Sequence, residues 1–547
     1  KNEISKILNL IQIGNSTVAV KEAKALYIKD PKNINAIKIL AYAFIQVGNF
    51  EKVVEVLELG YNAETNIKDY DYYNNLGYAF LQLENFQKSI NYLLEAIKMR
   101  PNEVQAFISL ADAQQKLKKF NEAELNINKA FQLASNNPQG FEIENNINLL
   151  LLKSEVNSAL GKDDETILLF NNLLNKTFNA DLFFLLSRIN PNSISEQLVN
   201  LAKSKLSISE KDNFKSLIQK TNFDASIFYG LGNYFQKKDP NISEKFYIQA
   251  NDKIFSIARY NSHLYQEHIN LIIESFLNCS EHIDDENNIE GDQNFFITGS
   301  PRSGTTLVES IITSNNKVYS GGELNLARRM MQKFISTKNK NLKVFKKEFA
   351  DNYLKETEFM KGDFNFLVDK MPENFLYLGY LKKILLKSKF IRVFRSPWDT
   401  ATSLYKERYL FNVPYSTSFF NIGIFLSNFE AINTFWDNNL QNKENIFDIK
   451  YEDLVINPDN YQKQLYGFLD LSVDDYEPSL RASFFSNTAS MNQVKGEIHQ
   501  NSIKKEVFSS KKNEFYDAFF AQRQYWIKKG ILDKKDIFFG YQLENES

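Results

Sequence analysis

The chain has 547 residues, which is too long for one hydrophobic core, so two to four domains are expected. Its apolar content of 43% and charged content of 24% are those of an ordinary globular protein, and the net charge of −2 argues against a general nucleic-acid binder. The single cysteine, Cys279, excludes an internal disulfide, and only four histidines argue against a histidine-rich metal centre.

Cysteine usage and hydropathy bear on where the chain resides. A single cysteine fits a reducing compartment, which predicts a cytoplasmic protein. No apolar run reaches the roughly 20 residues that span a bilayer. One candidate, the four leucines at 149–152, is ended by Lys153. Because the first residue is Lys1, a leader removed ahead of it stays an open alternative.

The first half of the chain contains an internal repeat. The unit at 73–101 contains an aromatic residue, Leu-Gly, a second aromatic residue, Ala and Pro, in that order. A similar unit follows it with an offset of 34 residues, and another precedes it with an offset of 36 residues. Small residues at Ala41, Gly77 and Ala111 fall where two helices would cross closely. Weaker units occur at 22–31, 160–174 and 228–251. Three consecutive matches resemble the tetratricopeptide repeat, in which each unit is two antiparallel helices.

This resemblance implies an α-helical solenoid over 1–278, whose concave surface would bind a peptide or a partner protein. Self-association through the repeats stays open. The following stretch, 279–293, is acidic and contains no Lys or Arg, so we expect it to be a linker.

Beyond the linker, the pattern changes to strands that alternate with helices. A helix is predicted at 306–313. Buried strands are predicted from short apolar runs at 294–298, 366–368, 390–394 and 445–449. Strand, loop and helix in alternation predict an α/β domain over 294–547, with a central parallel sheet and helices on both faces.

A glycine loop follows the first predicted strand. Gly299 and Gly304 are separated by four residues and followed by Thr305, which is the spacing of a Walker phosphate loop. Such glycines let backbone N–H groups converge on phosphate oxygens at a helix N-terminus. Thr305 stands where an NTPase carries lysine, and the loop's own cation is Arg302. A nucleotide with fewer phosphates than ATP therefore fits better.

A second phosphate-binding motif follows the strand at 390–394. Arg395 comes directly after this strand, and Ser403 lies eight residues further on, in the next predicted helix. Arginine offers a bidentate fork to a phosphate, and serine adds a hydroxyl donor.

Together, the Pro-Arg-Ser-Gly-Thr-Thr-Leu loop at 301–307 and the 390–403 motif resemble the donor site of sulfotransferases. The variant is similar to protein-tyrosine sulfotransferases and to bacterial sulfotransferases fused to tetratricopeptide repeats. The resemblance implies 3′-phosphoadenosine 5′-phosphosulfate (PAPS) as donor, adenosine 3′,5′-bisphosphate (PAP) as product, and no metal. It also implies a P-loop-like fold in which Arg395 and Ser403 bind the 3′-phosphate. The 5′-phosphosulfate would be held by Pro301, Arg302, Ser303, Gly304, Thr305 and Thr306.

The resemblance also assigns two catalytic residues. Glu323 follows two glycines at the point where tyrosine sulfotransferases carry their catalytic base, and a positioned carboxylate can take the acceptor's proton. Its alternative role is to cap the following helix. Lys370, in the Asp-Lys-Met-Pro segment at 369–372, would share with Arg302 the stabilisation of charge on the leaving group. The alternative is that Lys370 is an ordinary solvated lysine in a loop.

A late segment, 488–502, resembles the loop that closes over the donor in the repeat-fused group. Ser502 would then hydrogen-bond the sulfonate, and Lys495 replaces the arginine usual there. The sequence departs again at 504–507, where Lys-Lys-Glu-Val stands in place of a Gly-Arg-Trp-like segment. Which late lysine contacts the donor is left open by this departure.

The sequence therefore predicts transfer of a sulfuryl group to an acceptor hydroxyl, which could belong to a peptide tyrosine, a saccharide or a small molecule. The repeats would present the substrate or a partner, and no nucleic acid is expected. One alternative is a P-loop kinase or NTPase, which the missing loop lysine disfavours. The other is a repeat scaffold with an inactive transferase domain, which the full set of donor residues disfavours.

Overall fold

The computed structural model divides the chain into two compact units, Lys1–Leu160 and Gly161–Ser547. The predicted domain bounds, 1–278 and 294–547, stay a prediction, and most of the predicted linker lies outside the described residues. The structure describes residues 2–62, 68–136, 142–143, 146–208, 214, 216–258, 260–278, 291, 293–337, 341–409, 413–482, 484, 507–534 and 538–541.

The described part of the first unit is helical, and its consecutive helices pack in pairs. Asn33, Asp69 and Asn85 begin three of these helices, and their side-chain oxygens accept hydrogen bonds from backbone N–H groups of the first turn. The helices are α1 (Asn2–Gln12), α2 (Ser16–Lys29), α3 (Ile34–Gln46), α4 (Phe50–Asn62), α5 (Tyr70–Gln82), α6 (Phe86–Met99), α7 (Val104–Lys116), α8 (Phe120–Asn136) and α9 (Ile147–Ala159).

The crossing of α5 and α6 depends on Gly77. A Cβ at this position would lie 2.6 Å from Leu93 Cγ, so the two helices approach too closely for a larger residue. Ser89 Oγ donates a hydrogen bond to the Gly77 carbonyl at 2.8 Å across the same contact. The expectation that this small residue marks a close helix crossing is therefore confirmed.

The second unit begins with further helices, α10 (Asp163–Lys176), α11 (Ala180–Ile189), α12 (Glu196–Ile208), α13 (Leu217–Phe235), α14 (Pro240–Ile257) and α15 (Ser262–Asn278). The α13 and α14 pair has the same small-to-large contact, because a Cβ on Gly232 would lie 2.9 Å from the Tyr247 ring. Asn251 on α14 donates a hydrogen bond to the Tyr405 carbonyl at 2.9 Å, which ties this helix to the part of the unit that contains the sheet.

The strands that follow are parallel, in the order β2-β3-β1-β4-β5. They are β1 (Asn294–Gly299), β2 (Val318–Gly322), β3 (Phe366–Asp369), β4 (Lys389–Phe394) and β5 (Ile446–Lys450). The accompanying helices are α16 (Thr305–Ile312), α17 (Asn325–Ser336), α18 (Leu342–Phe349), α19 (Lys355–Lys361), α20 (Leu378–Ile384), α21 (Pro397–Tyr405), α22 (Phe419–Asn439), α23 (Tyr451–Ile456), α24 (Pro458–Leu469), α25 (Pro478–Ala482) and α26 (Lys512–Lys528).

This arrangement confirms the predicted fold class, a helical repeat region followed by an α/β domain with a central parallel sheet. Only β2 was not predicted, because it is short and ends in two glycines, which have little strand propensity. The carboxyl ends of β1 to β4 meet at one edge of the sheet, where ligands bind in open α/β folds. Across the described ranges, no helix has both the length and the apolar character that a membrane span requires.

Candidate active site

The loop between β1 and α16 has the backbone geometry of an anion cradle. Gly304, which precedes α16, has φ of 105°, in the left-handed region where glycine is favoured. A Cβ on Gly304 would collide with the ring of Tyr451. A Cβ on Gly299 would lie 2.6 Å from the Val393 carbonyl oxygen. Both glycines are therefore required for the loop to pass close to its neighbours.

Arg302 joins the loop to the helix that follows β4. Its Nε donates a hydrogen bond to Ser403 Oγ at 3.0 Å, and its Nη1 lies 3.8 Å from Glu407 Oε2. Arg395 in turn donates from Nη1 to the Arg302 carbonyl at 2.9 Å. The structure thus brings together the residues predicted for the phosphosulfate and those predicted for the 3′-phosphate.

Arg395 is held among groups that both desolvate it and favour its charge. Burial lowers the pKa of Arg395, while the nearby Tyr451, Asp399 and Glu452 act in the opposite direction. Its guanidinium lies over the ring of Tyr451, 4.7 Å from the ring centroid. Arginine remains cationic under such conditions, so this group suits a phosphate.

The other loop residues are placed at the start of α16. Ser303, Thr305 and Thr306 are buried, and Pro301 is half-buried. No described residue serves as a hydrogen-bond partner to the buried Ser303 hydroxyl. The two threonines occupy the first turn of the helix, where the helix dipole favours an anion.

A buried lysine directly after β3 lies between a carboxylate that follows β2 and a carboxylate on α16. Lys370 is fully buried, and its Nζ lies 2.5 Å from Glu323 Oε1 and 3.9 Å from Glu309 Oε2. The Lys370 backbone N–H donates to the Gly322 carbonyl at 2.9 Å, which fixes the two strand ends together. The alternative of a solvated loop lysine is therefore wrong.

Glu309 was not singled out from the sequence. It is fully buried on α16, and its Oε1 accepts a hydrogen bond from Ser320 Oγ at 2.6 Å. The signal that could have found it is a lone carboxylate in an otherwise apolar helix, since a buried charge requires a partner. Glu309 gives Lys370 a second counter-charge in addition to Glu323.

Tyr451 is the first residue of α23 and comes directly after β5. Its ring contacts both Gly304 and Arg395, so it packs against the phosphate loop and against the arginine proposed for the 3′-phosphate. The adjacent Glu452 accepts a hydrogen bond from the Ser396 backbone N–H at 3.0 Å. Lys495 and Ser502 lie outside the described residues, and their predicted roles stay predictions.

Two family models match the chain. Residues 70–103 match a model described as tetratricopeptide repeat, and residues 294–475 match one described as sulfotransferase family. The chain joins a tetratricopeptide repeat to a sulfotransferase-family domain. The sulfotransferase match includes the glycine loop, Glu323, Lys370 and Arg395.

A protein of Aquifex aeolicus, described as uncharacterized, is 29% identical in an alignment of 234 residues, and the match covers 38% of this chain. The match spans only 30% of that relative's length.

Two solved structures resemble parts of the chain. A tetratricopeptide repeat protein from Parabacteroides merdae matches 49% of this chain and 95% of its own, at 14% identity and a TM-score of 0.30. The sulfotransferase domain of the Synechococcus PCC 7002 olefin synthase matches 48% of this chain and 100% of its own, at 16% identity and a TM-score of 0.28. TM-scores this low do not establish a shared fold.

Proposed function

We propose that the chain transfers a sulfuryl group from PAPS to an acceptor hydroxyl. The observation that carries the proposal is the contact between Lys370 and Glu323 at the sheet edge where the glycine loop also lies. The acceptor oxygen attacks sulfur, the bond between sulfur and the bridging phosphate oxygen breaks, and PAP leaves. The proton of the acceptor hydroxyl passes to Glu323.

The donor would be held by two sets of groups. The loop backbone, the N-terminus of α16 and the Thr305 and Thr306 hydroxyls suit the 5′-phosphosulfate. Arg395 and Ser403 suit the 3′-phosphate, and Arg302 lies between the two sets. These protein cations supply the charge stabilisation, so the proposed reaction uses no metal ion.

The unequal exposure of the Lys370–Glu323 pair fits the proposed roles. Glu323 is 38% exposed, so an acceptor can reach its carboxylate, whereas Lys370 is fully buried. When Glu323 takes the proton, its attraction for the lysine falls. The buried Glu309 at 3.9 Å still balances the ammonium, which is then able to stabilise the charge that develops on the leaving phosphate.

A peptide tyrosine is one candidate acceptor, and saccharides and small molecules are others. We also propose that the repeat helices present the acceptor or bind a partner protein, because stacked helical repeats form extended binding surfaces. A cytoplasmic location remains a proposal that rests on the single cysteine.

The direct test is to incubate the full chain with sulfur-labelled PAPS and a cell extract, and to identify what carries the label. We expect label on a hydroxyl-bearing compound, and none with the Glu323→Gln variant. If PAP binds but no label is transferred, the scaffold alternative is supported and the proposed activity is contradicted. Hydrolysis of ATP in place of any use of PAPS would support the kinase or NTPase alternative.

A further inference from the structure

Several polar groups of the second unit are buried without a hydrogen-bond partner among the described residues. They are the hydroxyls of Tyr260, Tyr409 and Tyr415, and both side-chain amide atoms of Asn374. Asn374 is fully buried and Tyr415 is 4% exposed. Buried groups of this kind are costly, and native proteins rarely keep them unless water or a ligand satisfies them.

Asn374 and Tyr409 are each joined through the chain to residues of the proposed reaction centre. Asn374 follows Lys370 by four residues, in a short 3₁₀ helix (Pro372–Tyr377) that begins just beyond the end of β3. Burial raises the pKa of Tyr409, and the charges of Arg302 and Glu323 act on the same hydroxyl. Glu407, two residues before Tyr409, has its Oε2 3.8 Å from Arg302 Nη1, so this segment of the chain lies beside the loop arginine.

Tyr415 and Tyr260 continue this cluster toward the helices that precede the sheet. Their rings meet edge to face at a centroid distance of 5.9 Å, and the Tyr415 ring stacks on Phe425 at 3.9 Å. Tyr265 on α15 also packs on Phe425, at a centroid distance of 5.8 Å. The pKa of Tyr415 is raised by burial and then by the carboxylate of Glu373, which is next to Asn374 in the chain.

Three of these four residues are aromatic rings with an unpartnered hydroxyl, and the fourth is a carboxamide. Small-molecule sites combine the same features, since their apolar and aromatic walls surround a few well-placed polar groups. A phenol hydroxyl can both donate and accept, and a carboxamide offers two donors and two acceptor positions. A ligand that satisfies all four residues must therefore carry several hydrogen-bonding groups close together.

We propose that Tyr260, Asn374, Tyr409 and Tyr415 form the acceptor subsite, and that the acceptor is a compact polyhydroxylated compound of the sugar or polyol class. This inference rests on the proposed sulfuryl transfer. A sugar presents several hydroxyls to these groups while one of them reacts. A tyrosine side chain carries a single polar atom, the reacting oxygen, and would leave most of the four residues unpaired.

Tyr415→Phe and Tyr409→Phe test the subsite, because each removes one hydroxyl and keeps the ring. Since neither hydroxyl has a partner in the described residues, we expect the melting temperature to stay the same or rise. In contrast, kcat/KM for the acceptor should fall about three- to tenfold in each variant, the effect of one hydrogen bond, with the Kd of PAP unchanged.

Tyr247→Phe is the matched control. The Tyr247 hydroxyl is buried like the others but donates to Asn233 Oδ1 at 2.7 Å, so its removal should lower the melting temperature and leave kcat/KM unchanged. A parallel fall of melting temperature and kcat/KM in the Tyr409 and Tyr415 variants would mean a structural role. That result, or an unchanged kcat/KM in both variants, would contradict the subsite.

The substrate class is tested with the full chain, labelled PAPS and two defined mixtures of acceptors. One contains monosaccharides and polyols, and the other contains simple phenols and tyrosine-containing peptides. We expect label in the first mixture. Label only in the second mixture, or in neither mixture while PAP still binds, contradicts the proposed acceptor class. Neither result contradicts the proposed donor site. Failure of PAP to bind contradicts the proposed function itself.

Discussion

Lys370 Nζ and Glu323 Oε1 lie 2.5 Å apart and join the ends of two neighbouring parallel strands. The lysine is fully buried, whereas the carboxylate is 38% exposed. This difference gives the pair an inner cation and an outer base. An acceptor can approach only the carboxylate, and the cation is kept out of water, where its interactions with a developing charge are stronger.

Glu323→Gln should lower kcat by about 10²- to 10⁴-fold, because the amide cannot take the acceptor's proton. The Kd of PAP should not change, since Glu323 is not among the proposed donor contacts. Steady-state kinetics and calorimetry measure the two quantities. Glu348→Gln, which removes a surface carboxylate paired with Lys333 at 3.1 Å, is the control and should retain full activity. A Glu323→Gln variant with normal kcat would remove Glu323 from the mechanism.

Arg395→Lys should weaken PAP binding by about 10- to 100-fold, because lysine cannot reproduce the bidentate fork on the 3′-phosphate. Binding of AMP, which lacks this phosphate, should be little affected. Calorimetry with both nucleotides separates the two roles open to this residue. Since Arg395 also donates to the Arg302 carbonyl, an equal loss for AMP would show that it positions the loop and does not bind the 3′-phosphate.

Arg392→Lys, on the strand that precedes Arg395, is a matched control. Arg392 donates from Nε and Nη2 to the two carboxylate oxygens of Asp448 at 2.7 and 2.6 Å, so this substitution should reduce stability. It should leave the Kd of PAP unchanged.

The sequence pattern was sufficient for the helical repeats and for every strand except β2. The buried strands appear as short apolar runs, and the repeats as a regular spacing of small and large residues. β2 gave no such signal, because Gly321 and Gly322 weaken its strand character. The register of β2 against β3 also shifts between Ser320 and Gly322. Its parallel pairing with β3 is a long-range contact that no local pattern encodes.

The site residues also divide into those that a local sequence motif predicts and those that only the folded structure reveals. The glycine loop, Glu323, Lys370 and Arg395 belong to recognisable local motifs. Glu309 does not, because its importance comes from lying 3.9 Å from a lysine sixty-one residues away in the chain. The unpaired hydroxyls of Tyr409 and Tyr415 are likewise visible only in the folded chain, since burial without a partner is a tertiary property.

Gly232→Ala and Gly467→Ala should change stability in opposite directions. A methyl group on Gly232 would lie 2.9 Å from the Tyr247 ring, and overpacking of this kind costs about 1–3 kcal/mol. Gly467 lies in α24 with no atom within 4 Å of the added methyl, so alanine should stabilise by up to about 1 kcal/mol. Urea unfolding measures both. A Gly232→Ala protein as stable as the wild type would contradict the close α13–α14 packing.

His268 should make stability depend on pH. Burial lowers its pKa below the ordinary value of 6.5, and its Nε2 lies 3.4 Å from the Tyr377 hydroxyl. The unfolded chain therefore binds a proton more readily than the folded one. The stability conferred by the neutral histidine is present above pH 6.5 and is lost as the pH falls through the lowered value.

His268→Gln removes this titration. Urea midpoints for the wild type and the variant, measured across about pH 5 to 8, should show the stability of the wild type relative to the variant falling in the acidic range. A difference that stays constant with pH would contradict the lowered pKa of His268.

The proposed function depends on the identity of the donor. A thermal-shift comparison of PAP with ATP·Mg²⁺ tests this identity most directly. A ligand that binds only the folded chain raises its melting temperature with concentration. We expect PAP to raise it, ATP·Mg²⁺ to leave it unchanged, and Arg395→Lys to reduce the PAP effect. A rise with ATP·Mg²⁺ and none with PAP would contradict a 3′-phosphorylated donor and indicate a nucleoside triphosphate site.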